Sequence, residues 1–126
     1  MTSDISEFMA SLRQLLPGDD RLLEQPSALL AFQSDGLTAF AVHPRAIAIP
    51  ATSQDVIEIV RLCNQFNVPF VARGSGTSLS GGSLPHADGI VIALNRLDRI
   101  LRLDLPGRLA VVQPGVINSK LTQAVA

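Results

Sequence analysis

The stretch Val68-Pro69-Phe70-Val71-Ala72-Arg73-Gly74-Ser75-Gly76-Thr77-Ser78-Leu79-Ser80-Gly81-Gly82-Ser83 joins a short apolar run to a loop made almost entirely of glycine and hydroxyl residues. The apolar part predicts a strand. In the loop, Gly74, Gly76, Gly81 and Gly82 allow positive φ and let the backbone approach a ligand without a Cβ in the way. Successive backbone N–H groups in such a segment can converge into an anion-binding concavity. Ser75, Thr77, Ser78 and Ser80 add hydroxyl donors. This chemistry suits a phosphate or pyrophosphate; a ligand-free surface turn is the alternative. A P-loop would require a Gly-Lys-Ser/Thr ending, and the stretch contains no lysine. The dinucleotide pattern Gly-x-Gly-x-x-Gly fits Gly74 and Gly76, but its third position is Leu79.

Upstream, Ala46-Ile47-Ala48-Ile49 lies between Pro44 and Pro50 and predicts a strand buried on both faces. Thr52 with Asp55 three residues on resembles a capping box, with Asp in place of the usual Glu. Val56, Ile59, Val60, Cys63 and Phe66 then mark the buried stripe of a helix. Asn67 is the expected stop, and Pro69 cannot continue the helix. Strand, helix and strand form a βαβ unit, so the two strands are expected to be parallel with a right-handed crossover. The glycine loop then leaves the carboxyl end of a parallel strand, where open α/β sheets place ligands.

Downstream, Gly89–Leu94 predicts a third strand, and Ile100–Asp104 and Leu109–Gln113 a hairpin turning at Pro106-Gly107. Gln113-Pro114-Gly115 is a turn, and Asn118 is the expected cap of a helix running to Ala126. At the other end, Ile5, Phe8, Met9, Leu12, Leu15 and Leu16 give Ser3–Leu16 helical periodicity, with Ser3 as N-cap and Pro17-Gly18 as terminator. Ser27–Phe32 predicts a second short helix, ending before Ser34-Asp35-Gly36.

At 126 residues the chain is the size of one ordinary domain, and 47 % hydrophobic with 17 % charged residues favours a folded core over disorder. Ten basic residues against eleven acidic ones, with no basic run and no Trp or Tyr, argue against a nucleic-acid partner. No apolar run is long enough for a membrane span. Asp4 and Glu7 precede the first basic residue, Arg13, unlike a signal peptide. Cys63, the single cysteine, has no disulfide partner in the chain, which is compatible with a reducing compartment. It falls on a helix's buried stripe and reads as packing, not as a nucleophile. His43 and His86 are isolated, so no metal site is expected, and no catalytic residue can be named. Asp98, Asp104, Arg96, Arg99 and Arg102 read as a solvated hairpin face. Arg73 is open: it either pairs with a phosphate or points away while the amides bind.

The run Pro44–Gly115 resembles the front of the FAD-binding domain of the vanillyl-alcohol-oxidase (PCMH-type) oxidoreductases. Within that family it is most similar to the flavin subunit of glycolate oxidase, alongside the D-lactate dehydrogenases. Pro44-Arg45-Ala46-Ile47-Ala48-Ile49-Pro50 matches the family's first strand, the loop from Arg73 to Pro85 its FAD-pyrophosphate loop, and Val112-Gln113-Pro114-Gly115-Val116 its second glycine turn. The resemblance implies an α+β class: the N-terminal part of a PCMH-type FAD-binding domain, a βαβ unit with a small mixed sheet and a hairpin. Residues 1–38 would be a helical lead-in and 39–126 the first half of the FAD domain.

The resemblance implies cofactor contacts from Arg73, Gly74, Ser75, Gly76, Thr77, Ser78, Gly81, Gly82, Pro114 and Gly115. FAD would be held non-covalently, because Thr77 occupies the position where some relatives carry a flavin-linked histidine. It further implies oxidation of a 2-hydroxy acid such as glycolate or D-lactate. The expected partners are a second flavin-domain-like subunit and an iron–sulfur subunit. The expected location is cytoplasmic, with any membrane association made through those partners. The family pattern continues well past Gly115, so the chain reads as a fragment, a split-gene product or a truncated frame, inactive alone. The alternative is a non-catalytic module that contacts a partner and binds FAD weakly or not at all. In either case Ile90–Leu94 and the hairpin are expected to present open edges.

Overall fold

In the computed structural model, which describes residues 2–126 and side chains from residue 4 onward, the chain opens with helix α1 (Thr2–Leu15). The Ser3 side chain, expected as its cap, lies outside the described residues. Strand β1 (Leu22–Leu23) follows, then α2 (Pro26–Leu29), which tightens into a 3-10 turn (Leu30–Phe32). Next come β2 (Ala46–Ala48), α3 (Ser53–Phe66), β3 (Phe70–Arg73) and β4 (Ile90–Ala93). The chain ends with β5 (Ile100–Asp104), β6 (Leu109–Val112) and α4 (Asn118–Val125).

The capping box is present. Thr52 Oγ1 accepts from the Asp55 amide at 3.1 Å, and Asp55 Oδ2 accepts from the Thr52 amide at 3.1 Å. Asp55 Oδ2 also accepts from the Ala51 amide and from Arg21 Nη2, which ties the start of α3 to the segment before β1. Burial alone would raise the Asp55 pKa, but the Ala51 and Thr52 amides and the Arg21 charge outweigh it and hold the carboxyl below its usual range. At the far end Asn67 takes the left-handed conformation (φ 55°), and the Val68 amide returns to the Cys63 carbonyl at 2.8 Å.

The main sheet has the order β1-β2-β4-β3. Strands β2 and β3 both run parallel to β4, as the βαβ reading requires, but β4 is inserted between them. This corrects the expectation of an open edge at Ile90–Leu94: β4 is central and buried along its whole length, and the edge strands are β1 and β3. Strand β1 adds antiparallel to β2; two residues are too few to leave a periodic pattern in the sequence.

Alternation through the strands sends Ala46, Ala48, Ile90 and Ile92 to one face, against Phe8 and Leu12 of α1, Leu16 just past its end, and Ile59 and Cys63 of α3. Ile47, Val91 and Ala93 take the other face, with Leu29 and the half-buried Phe32. The N-terminal helix is therefore part of the principal core. Burial raises the Cys63 thiol pKa to about 11, so it remains a protonated apolar filler.

Strands β5 and β6 form a separate two-stranded sheet with an irregularity at Leu101. The turn is where Pro106-Gly107 placed it, with the Gly107 amide on Asp104 Oδ1, although Arg108 is the residue at positive φ (52°). One expectation is corrected here. Asn118 is the first residue of α4 and not its cap; the cap position is Ile117, which offers no side-chain acceptor.

Candidate functional site

Strands β2, β3 and β4 point their carboxyl ends the same way, and the glycine loop leaves β3 at that end. The Leu94 amide, just past β4, donates to the Arg73 carbonyl at 2.9 Å and fixes where the loop departs. Beyond that point, none of the backbone N–H groups of residues 74–79 donates a hydrogen bond among the described residues. Gly74, Ser75 and Thr77 are exposed, and Gly76 and Ser78 half-buried. A Cβ added at Gly74 or Gly81 would meet nothing within 4 Å, so the outer side of the loop is open. Gly76 and Gly81 sit at φ 74° and 79°, where a side chain is strained. At Gly76 an added Cβ would also overlap the Arg73 guanidinium lying beneath it.

Of the two readings of Arg73, the structure shows the guanidinium turned inward. Nη1 donates to the Ser34 carbonyl at 2.7 Å and Nη2 to the Ala31 carbonyl at 3.3 Å, and the group stacks 5.2 Å from the Phe32 ring centroid. No carboxylate among the described residues pairs with it. A second link runs from Asp35, a residue only 6 % exposed. Asp35 Oδ2 accepts from the Gly81 amide at 2.8 Å and Oδ1 from the Leu37 amide at 2.9 Å. The Gly81 N–H is thus committed to Asp35. Between these links the Gly36 amide donates to the Ser78 carbonyl at 2.7 Å. An added Cβ on Gly36 would lie 2.8 Å from the Thr77 carbonyl, so only glycine permits the approach.

Asp35 was not among the residues singled out from the sequence, where Ser34-Asp35-Gly36 read simply as the end of a helix. Ser83 was also passed over. Its hydroxyl is the one buried side-chain polar atom without a partner among the described residues. Beside the loop, Asp35, Leu37, Phe40, Leu79, Ser80, Gly81 and Leu84 line a recess of about 270 Å³. A larger recess of about 500 Å³ lies at the hairpin tip, around Arg102–Pro106, but it is shallow and contains no loop residue.

The second glycine turn reaches the same end of the sheet. The Gly115 amide donates to the Leu97 carbonyl at 2.7 Å, and a Cβ there would collide with the Leu94 carbonyl. Gly115 is therefore a close-packing glycine with its N–H engaged, while Pro114 is exposed and has no N–H to offer. One link, Arg73–Leu94, separates the two glycine segments. Among the described residues no group of three or more His, Cys, Asp and Glu side chains could hold a metal ion, and no helix is long and apolar enough to cross a membrane.

Residues 44–126 match the family profile described as "FAD binding domain". The chain belongs to this family. The family's cofactor is FAD, and the match contains both glycine segments. The "Glycolate oxidase subunit GlcD" of Escherichia coli K12 is 37 % identical over 123 residues, which is 98 % of this chain and 24 % of that protein. The protein of the same name from Bacillus subtilis 168 is 30 % identical over 99 % of this chain and 26 % of its own length. A "D-lactate dehydrogenase" of Archaeoglobus fulgidus is 34 % identical over 66 % of this chain and 20 % of its own. The chain thus spans about a quarter of the length of these relatives.

Among solved structures, p-cresol methylhydroxylase superposes with a TM-score of 0.84 at 22 % identity, over 99 % of this chain and 25 % of that one. Alkyldihydroxyacetonephosphate synthase gives 0.83 at 21 %, over 95 % and 24 %. At such identities these two speak for the fold, a mixed α+β arrangement of the PCMH type.

Proposed function

We propose that this chain is the FAD-pyrophosphate-binding portion of a flavin-dependent oxidoreductase acting on a 2-hydroxy acid of the glycolate or D-lactate class. The observation that carries the reading is the row of unpartnered amides from Gly74 to Leu79 at the carboxyl end of three parallel strands. The residues fit the group: a polyanion needs several donors, close backbone approach and nearby positive charge, and the loop has all three. In this reading the amides of Gly74–Ser78 and the hydroxyls of Ser75, Thr77 and Ser78 hold the phosphates. Gly82 allows close approach, and Gly81 contributes its left-handed turn while its amide stays with Asp35. Arg73 supports the loop from beneath, and Pro114 and Gly115 shape the neighbouring wall.

When bound, the flavin supplies the redox chemistry by accepting a hydride equivalent; this chain's residues bind and orient it. Thr77 cannot form a histidyl link, so the cofactor is held non-covalently. The substrate class rests on the names of the relatives. The word "subunit" in two of those names supports an assembly with further chains; the resemblance adds a second flavin-domain-like subunit and an iron–sulfur subunit. The proposed location is the cytoplasm.

The test is Gly76→Val in the intact protein. The left-handed φ and the guanidinium beneath both oppose a branched side chain. The expected result is loss of bound FAD with the far-UV spectrum unchanged. Normal flavin content in the variant would remove the loop from the phosphate site. Flavin fluorescence that stayed with the polypeptide on a denaturing gel would rule out non-covalent binding.

A further inference from the structure

Residues 31–36 precede the 44–126 profile match, yet they make several of the contacts that shape the loop. A carboxylate as buried as Asp35 is costly unless strong donors meet it. Two backbone N–H groups do, and one belongs to the loop. The Arg73 fork makes the opposite connection, from the root of the loop to the Ser34 and Ala31 carbonyls. We propose that Asp35 and Arg73 are positioning residues that latch the glycine loop to the 31–36 segment. The latch holds the amides of residues 74–79 in place before FAD arrives and keeps one positive charge beneath Gly76 without direct contact with the cofactor. This rests on the reading of the loop as the FAD-phosphate site.

Two consequences distinguish a latch from ordinary packing. It acts on the loop and not on the sheet core, and it depends on acceptor geometry as well as charge. The experiment compares the intact wild-type protein with Asp35→Ala, Asp35→Asn and Arg73→Lys. It measures FAD affinity by flavin-fluorescence titration and amide exchange in residues 74–83 and in β4 without FAD. Asp35→Ala should weaken FAD binding about tenfold, or about 1.4 kcal/mol. It should speed exchange across the loop and leave β4 exchange unchanged. Asp35→Asn, which retains one carbonyl acceptor, should recover part of both effects. Arg73→Lys keeps the charge but loses the planar fork, and should also loosen the loop.

Wild-type affinity in Asp35→Ala would overturn the latch, whether or not loop exchange rose. So would loss of protection throughout β4, because Asp35 would then support the whole fold. If the wild-type protein itself bound no FAD, the site reading would fall and the latch's role in binding with it. That outcome is distinct from wild-type binding that the variants leave unaltered.

Discussion

Ile90-Val91-Ile92-Ala93 and Leu109-Ala110-Val111-Val112 are strands of the same length and nearly the same composition, yet they occupy opposite environments. The first, β4, is at most 2 % exposed at any residue; in the second, β6, Leu109 is 47 % and Val111 41 % exposed. The difference is in what surrounds them. Strand β4 has a partner strand on each side and helices over one face, with the α2 segment over the other. Strand β6 has only β5 beside it, and Leu101, Leu105, Ile117 and Val125 are exposed nearby. Apolar composition marks a strand as fit for burial; neighbours determine whether it is buried.

The strongest way to break this comparison is to place one charge in each strand. Val91→Asp would put a carboxylate without donors on the face packed against Leu29 and Phe32, a change on the order of several kcal/mol that should abolish folding. Val111→Asp should alter stability by no more than about 1 kcal/mol and reduce self-association of the isolated chain. Circular dichroism melts and sedimentation velocity test both; equal losses would mean that β6 is covered in solution.

Amide exchange sharpens the same contrast without substitution. The amides of β4 should be the slowest in the chain and those of β5 and β6 faster by about a hundredfold or more, because few buried contacts oppose opening of the hairpin. Uniform protection would indicate that the hairpin and the main sheet open as one unit.

The next effect lies at the start of α3, within the covered region. Asp55→Ala removes half of the capping box and the Arg21 contact and should cost about 1–2 kcal/mol. Because the folded-state pKa of Asp55 is lowered, its contribution is present above the unfolded value near 3.8 and lost as pH falls through the lower folded value. Urea midpoints between pH 6 and 3 should fall in the wild type and fall less steeply in the variant.

The smallest effect is at Cys63. Cys63→Ala should cost about 1 kcal/mol as a small core truncation. The native thiol, with its pKa near 11, should resist alkylation at neutral pH until the protein unfolds. Rapid labelling of folded protein would contradict its burial.

Much of the molecule was readable from local pattern. The stripe through Ile59 and Cys63, the Thr52–Asp55 box and the left-handed stop at Asn67 are each set within a few residues, and α3 follows them closely. The glycines of the 73–83 loop likewise marked a segment that takes positive φ at Gly76 and Gly81, because that freedom is a property of single residues. Local reading missed by one residue at the start of α4, where Ile117 and not Asn118 holds the cap position. It failed outright where partners lay far away, expecting Ile90–Leu94 at an edge when β4 is central.

The sequence by itself therefore determined most of the elements and the glycine loop, since helical periodicity, capping and glycine's freedom act over one or two turns of chain. Only the tertiary structure decided that β4 enters between β2 and β3 and that β6 stays uncovered. It also decided that Arg73 reaches back 39 residues to Ser34 and that Gly81 reaches back 46 to Asp35. The physical reason is that these contacts join a guanidinium to backbone carbonyls and a carboxylate to a backbone amide. Such acceptors and donors occur in every residue, so the pairing leaves no mark in the sequence until folding brings the partners together.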